Sequence, residues 1–540
     1  MERIKKIAFV LLVAAVLYAC FLCGLRNLGL VGPDEPRYAE VAREMAASGD
    51  MVTPRLYGRP WFEKPALYYW RASAAFRLLG INELAARLPS ALGATLLTLV
   101  LGWAAKRSYG RDAGCAVLLL FPTCVGVIGF ARAATPDMLF TTFLGLTMIF
   151  AGVLVGFPVG SRPQRFWLLL FGATLGMATL AKGPAAMVLA GGSVGLWAIV
   201  TRKWKEAFRL AYPSAIITFL VVALPWYVVC AWRNPDFVRT FLVAHNVDRY
   251  LTSVFQHEQP FWFFGPILLL GLLPWSVLLA GVVRDAVRAM RERALRNSAG
   301  FFLGCWVLFP LVFFSFSKSK LPGYILPVFP ALAILLARSI TRKSDTDKRM
   351  PSWLLAGSGA TFLLLAATAT QWLKRLPPES GLQEAKDIWP WLAAAALGGI
   401  LAAALALLRR QGASLLVSAV LMAGLVGMVA WRILPRLDPH LSARAAAAAV
   451  AEAMTNDEPI YVFRLHRAWH YGLNFYLQEE IITWNPDYSK PGLRPGLVCT
   501  SREGLAELRR LAVPLSVLRD ISRQAVVVRI HPDPRRPSMY

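Results

Sequence analysis

The chain has 540 residues, 56% of them hydrophobic, with 58 Lys and Arg against 32 Asp and Glu and a formal net charge of +26. Apolar stretches long enough to cross a bilayer recur through most of its length, which excludes a soluble globular enzyme and identifies a polytopic membrane protein. The basic excess gives no support to nucleic-acid binding, because membrane topology accounts for most of it.

Thirteen spans are predicted, near 7–28, 84–105, 113–131, 138–157, 166–181, 184–200, 210–231, 261–283, 299–316, 322–340, 352–372, 388–408 and 413–434. With the N-terminus inside, the inner segments hold 24 of the 58 basic residues against seven acids, or about +17 of the +26. That bias is the positive-inside rule, and an odd number of spans then puts the C-terminus outside. Residues 1–24 have the outline of a signal peptide, but Tyr18 is bulky where cleavage wants a small residue, so an uncleaved first span is expected. Six of the seven cysteines lie in the spans, where a thiol serves as a small hydrophobe, so neither a disulfide framework nor a metal cluster is implied.

Directly after the first span the chain reads Gly32-Pro33-Asp34-Glu35-Pro36-Arg37-Tyr38, with two adjacent carboxylates at a membrane edge. An acid followed by proline also makes a good helix start, and the two roles are compatible. The loop from Val31 to Arg77 carries seven cations on the face that should be poor in them, including Arg37 and Lys64, which points to an anion held there. Within it, Pro36 to Ala47 sets Tyr38, Val41, Ala42 and Met45 on one helical face with Arg37, Glu40, Arg43 and Glu44 largely opposite. Pro65 to Leu79 repeats the design with Leu67, Tyr68, Trp70 and Phe76, so two interfacial helices are expected to roof the outer face.

A second membrane-edge acid, Asp137, lies in Ala134-Thr135-Pro136-Asp137-Met138. Its alternative reading is a turn or cap residue, yet acids near a bilayer are costly and usually functional. Cations stand beside turns in separate outer segments: Lys64 with Glu63 in Pro60 to Pro65, Lys182 in Ala181 to Pro184, Arg249 with His245 in His245 to Tyr250, and Lys318 and Lys320 in Ser317 to Tyr324. Any one of them reads as a snorkelling side chain, but the set reads as a phosphate site. After Leu434, strand-like runs at 459–463, 481–484, 496–500 and 525–530 alternate with helical stretches at 442–454 and 501–511, as in a small soluble α/β domain. His466 and His470 have i, i+4 spacing but lack the Glu of a zincin and a third ligand, so a packing role is expected of them.

The ordered set Gly32 to Tyr38, Trp61 to Pro65, Thr135 to Asp137, Ala181 to Pro184 and Lys320 to Pro327 resembles the bacterial lipid A aminoarabinose transferase family, GT-C fold enzymes related to the protein O-mannosyltransferases. The resemblance covers nearly the whole chain. It implies an α-helical polytopic membrane protein of GT-C fold, with a catalytic transmembrane domain at 1–434 that includes the interfacial helices of 31–80, and a soluble periplasmic α/β domain at 435–540. It also implies a monomer in the bacterial inner membrane, N-terminus cytoplasmic, that takes a sugar from polyprenyl (undecaprenyl) phosphate to lipid A or another envelope acceptor, with inversion at C1.

By the same resemblance Asp34 is the principal catalytic acid with Asp137 nearby; Lys64, Arg249 and Tyr324 surround the carrier phosphate; and Arg37 and Glu63 lie close by. Glu35, Lys182, His245, Lys318 and Lys320 complete the candidate set. Some relatives hold a metal through a Glu three residues after the motif lysine; here that position is Leu67, so no cofactor or required metal is expected. Protein O-mannosyl transfer and transfer of another lipid-linked sugar remain open, as does a transporter or flippase. The last would need ionisable groups at the bilayer midplane and paired halves, and neither is visible.

Overall fold

The computed structural model describes residues 2–155, 162–248, 250, 258–291, 299–342, 350–384, 386–455, 458–484 and 495–532, with the backbone alone at 162–163 and 244–248. Each of the thirteen apolar segments meets a helix. Among the described residues, eight helices are long and apolar enough to cross a membrane, or ten if each of two bent pairs is one span, so thirteen crossings are not reached on that test. Two differences have a clear local cause. The segments expected at 113–131 and 261–283 are bent by 63° and 117°. Pro122 and Pro274 lie at the two breaks, where a missing N–H and a ring clash end a helix.

The first loop forms the two expected helices, Asp34–Ser48 and Leu67–Leu79. Tyr38, Val41, Ala42 and Met45 are buried as their spacing requires, but the helix does not lie free on a membrane surface. Glu40 on its other side is also buried, paired with Arg43 at 2.6 Å. Its cover comes from the C-terminal region, whose helix Arg467–Leu477 brings Phe475 and Tyr476 into the same apolar cluster. That helix was not expected from the sequence.

Residues 444–530 build a five-stranded sheet flanked by helices. The order is 482–483, 460–463, 497–500, 525–530, 515–522; the first three strands run parallel and the last two pair antiparallel. Four of the five strands coincide with the predicted runs. Leu515–Ser522 was missed because it is a bulged edge strand, largely exposed, with no clean alternation to read.

One buried side chain ties the first loop to the helix bundle. Arg87, only 4% exposed, donates from Nε and Nη2 to Glu35 at 3.0 and 2.7 Å, from Nη1 to the carbonyls of Leu25 and Leu28, and from Nη2 to that of Gly29. Glu35 also accepts the amides of Val31 at 2.8 Å and Ala134 at 2.7 Å. All five guanidinium donors are used. Removing one partner of such a pair strands a charge in a low-dielectric site. Arg87→Met is therefore expected to destabilise the protein by about 3–5 kcal/mol, read as a large fall in the thermal unfolding midpoint in detergent. Arg436→Met, which breaks a pair with Asp387 whose partners are 37% and 33% exposed, should shift the midpoint far less, because solvent screens an exposed pair.

Candidate active site

Asp34 opens its helix but does not cap it; the residue before it is Pro33 and no side chain bonds the first turn. Its half-exposed carboxylate is drawn instead to Arg37, one turn on, at 2.6 Å. Arg37 reaches Glu63 at 3.0 Å as well, and Tyr38 donates to Glu63 at 3.3 Å. The Lys64 ammonium stands 3.5 Å from the same Glu63 carboxylate. Burial lowers the affinity of Arg37 for its proton, but Glu63, Tyr38 and Asp34 outweigh it and hold this guanidinium more firmly charged than usual. Three rings surround it: Tyr38, Trp61 and, from the C-terminal sheet region, Tyr471 at 5.8 Å.

A second group lies where two helices meet the same face. Asp137, on the first turn of Pro136–Leu154, pairs with Lys182, which ends Arg162–Lys182. Lys182 lies 5.2 Å over the Tyr324 ring and 5.5 Å over that of Phe140. Gly323 makes this approach possible: a Cβ there would sit 2.8 Å from Asp137 Oδ1 and 2.9 Å from Phe130. The Lys64 charge acts on Asp137 also, so this lysine joins the two groups. The result is a cluster of Asp34, Glu63 and Asp137 facing Arg37, Lys64 and Lys182, with Tyr324 beside it.

The remaining candidates fall elsewhere. Glu35, adjacent to Asp34 in sequence, turns into the Arg87 socket and leaves the cluster. Lys320 is buried and donates to the carbonyls of Gln259 at 2.9 Å and Ser317 at 2.6 Å, while Lys318 is exposed. The Lys318 amide bonds the carbonyl of Tyr250 at 3.0 Å. Arg249 and the side chain of His245 lie outside the described residues.

Sequence reasoning missed Trp61, Tyr69 and Tyr471. Trp61 sits inside a motif already singled out, whereas Tyr69 and Tyr471 carry no local signal. Among the described residues, the buried Arg37 Nε, Trp61 Nε1 and Tyr69 hydroxyl have no hydrogen-bond partner. Orphaned donors beside a charge cluster suit a polar ligand. Burial first, and Glu63 second, push the Tyr69 phenol well above its usual range, so it is a neutral donor. Among the described residues no group of three or more His, Cys, Asp and Glu is placed to hold a metal ion, and Leu67 is buried at 1% exposure.

Comparison with known proteins converges on one kind of enzyme. Residues 6–241 match the family described as dolichyl-phosphate-mannose-protein mannosyltransferase. The chain is 37% identical over 343 residues to an undecaprenyl phosphate-alpha-4-amino-4-deoxy-L-arabinose arabinosyl transferase of Edwardsiella ictaluri, covering 63% of this chain and 60% of that protein. A protein of the same description from Pseudomonas aeruginosa is 32% identical over 430 residues, covering 78% of this chain and 76% of the relative. The crystal structure of ArnT from Cupriavidus metallidurans bound to undecaprenyl phosphate is 28% identical and superposes with a TM-score of 0.78, covering 96% of this chain and 97% of that one.

The Asp137–Lys182 pair is mostly shielded from solvent, with side chains 19% and 14% exposed. Lys182→Met should therefore cost about 3 kcal/mol or more by stranding the carboxylate. Combining it with Asp137→Asn should restore most of that loss, which a double-mutant cycle of unfolding midpoints would measure.

Proposed function

Because the chain belongs to the undecaprenyl phosphate-aminoarabinose arabinosyl transferase family, we propose that it transfers an amino sugar from a polyprenyl phosphate donor to an envelope acceptor, of which lipid A is the leading candidate. The observation that carries the reading is the meeting of Asp34, Arg37, Glu63 and Lys64 with Asp137, Lys182 and Tyr324 at one face of the bundle. The site then works at the periplasmic face of the inner membrane, as the distribution of cations between loops favours.

Transfer breaks the bond between the sugar C1 and a phosphate oxygen through an oxocarbenium-like state, and an acceptor oxygen forms the new bond from the opposite side. Charge grows on the departing polyprenyl phosphate. Lys64 can follow that charge because its ammonium is held 3.5 Å from Glu63 and within electrostatic reach of Asp137, and a fixed cation stabilises a growing charge more than a diffuse one. In this reading Arg249, Lys318 and the Tyr324 hydroxyl supply the rest of the phosphate cradle, while Lys320, held by the carbonyls of Gln259 and Ser317, fixes the turn that carries Lys318.

If the acceptor is a phosphate it is already anionic and needs no general base. Asp34, half exposed and oriented by Arg37, then positions the sugar amine; with a hydroxyl acceptor the same carboxylate would take the proton. Trp61 Nε1 and the Tyr69 hydroxyl are donors for the sugar ring. We propose further that no divalent metal is required, because each clustered carboxylate already faces a fixed cation and Leu67 replaces a potential ligand.

Transfer from radiolabelled polyprenyl phosphate-sugar in liposomes tests this directly. Asp34→Asn should abolish transfer in folded protein, Lys64→Ala should lower kcat by about 100-fold or more, and a chelator should leave the wild-type rate unchanged. Full activity of the Asp34→Asn protein would sink the assignment.

A further inference from the structure

A large cavity lies away from the carboxylate cluster. It has a volume of about 1290 Å³ and lies at the other end of the bundle. Lys106, in its wall, stands 19 residues beyond Arg87 on the helix Glu83–Tyr109. That is about 29 Å along the axis, one hydrocarbon thickness.

Six cations line it: Lys6, Lys106, Arg111, Arg284, Arg342 and Arg409, against Asp112 as the acid in its wall. They come from sequence positions spread over four hundred residues and are brought together only by the fold. Lys6 is tied to Glu2 at 3.0 Å and Arg284 to Asp285 at 3.1 Å. Among the described residues no ion pair engages Lys106, Arg111, Arg342 or Arg409. The commonplace account of such residues is topological: cations collect on one side and face water. Topology alone does not explain their convergence on a concave surface whose other wall is apolar, with Phe9, Val10, Leu415 and Leu416.

The cavity also opens sideways. Val10 is 65% exposed and Leu416 is 36% exposed, on helices whose neighbouring exposed residues are apolar and suited to lipid. A free anion would need only the cationic rim. A phosphate on a glycerol with acyl chains would use both walls and enter through the gap. The volume exceeds what a single phosphate fills and suits a headgroup with the first part of its chains. Basic recesses between membrane helices are a recurring way to hold anionic headgroups.

We infer that this cavity is a binding site for an anionic phospholipid of the leaflet opposite the carboxylate cluster. The headgroup phosphate lies among Arg111, Arg342 and Arg409, and the chains leave past Val10 and Leu416. The site is separate from the polyprenyl phosphate site proposed above, and its existence does not depend on the sugar-transfer reading.

The test uses the full-length purified protein after exchange into lipid-free detergent. Native mass spectrometry and thermal unfolding are recorded with added dioleoyl phosphatidylglycerol, dioleoyl phosphatidylcholine or inorganic phosphate. Wild-type protein should retain phosphatidylglycerol and unfold at a higher temperature with it, and neither of the others should match that effect. Arg111→Gln combined with Arg342→Gln and Arg409→Gln should weaken retention about tenfold or more. Leu416→Trp, which narrows the doorway with every charge in place, should weaken it as well. Equal retention of the two lipids by wild-type protein overturns the proposal even if the variants fail to fold. So does stabilisation by inorganic phosphate equal to that by phosphatidylglycerol, since the occupant would then be a soluble anion. Unchanged retention by folded variants overturns it too.

Discussion

The Arg87 guanidinium sits where water does not reach, and each of its five N–H groups has an oxygen to meet. In a low-dielectric setting that completeness is what makes a buried charge tolerable. Its partners come from the turn after the first helix and from Glu35, and Glu35 in turn holds the Ala134 amide, three residues before Asp137. Two of the three acids of the cluster are therefore placed by one socket. Asp34 is carried on the residue beside Glu35, and Asp137 on the helix that begins just after the amide Glu35 fixes.

The charges of the cluster nearly cancel, with Asp34, Glu63 and Asp137 against Arg37, Lys64 and Lys182. Such a balance keeps each side chain in a defined position without a ligand. It also means that an incoming phosphate brings surplus negative charge, which must compete with Glu63 for the Lys64 ammonium.

Much of the fold was legible in the sequence because a bilayer imposes long apolar helices, and hydropathy reads length and polarity directly. The two sharp bends were less so: Pro122 and Pro274 are visible, but an angle of 63° or 117° depends on what packs around the break. The acids Asp34 and Asp137 stood out because each sits at a membrane edge. Arg87 did not, although it is the more constrained residue; it lies within a predicted span, and its partner Glu35 is 52 positions away. Tyr69 and Tyr471 were invisible for the same reason, since their places beside Arg37 and Glu63 are set by tertiary packing. The edge strand Leu515–Ser522 and the helix Arg467–Leu477 were missed where local pattern is weak.

The first loop is closed from the far end of the chain. Gly29 donates its amide to Asp438 at 2.7 Å, and Leu30 donates to the Tyr476 hydroxyl at 2.8 Å, across separations of 409 and 446 residues. Tyr476 and Arg444 then both hold Glu83. During synthesis these groups must wait, hydrated or held by other partners, until residues 438–476 emerge. At ordinary translation speeds that is roughly 20 to 90 s after the loop itself is made. The biogenesis of this protein thus has a built-in order, with membrane insertion first and the loop bearing the acids completed last.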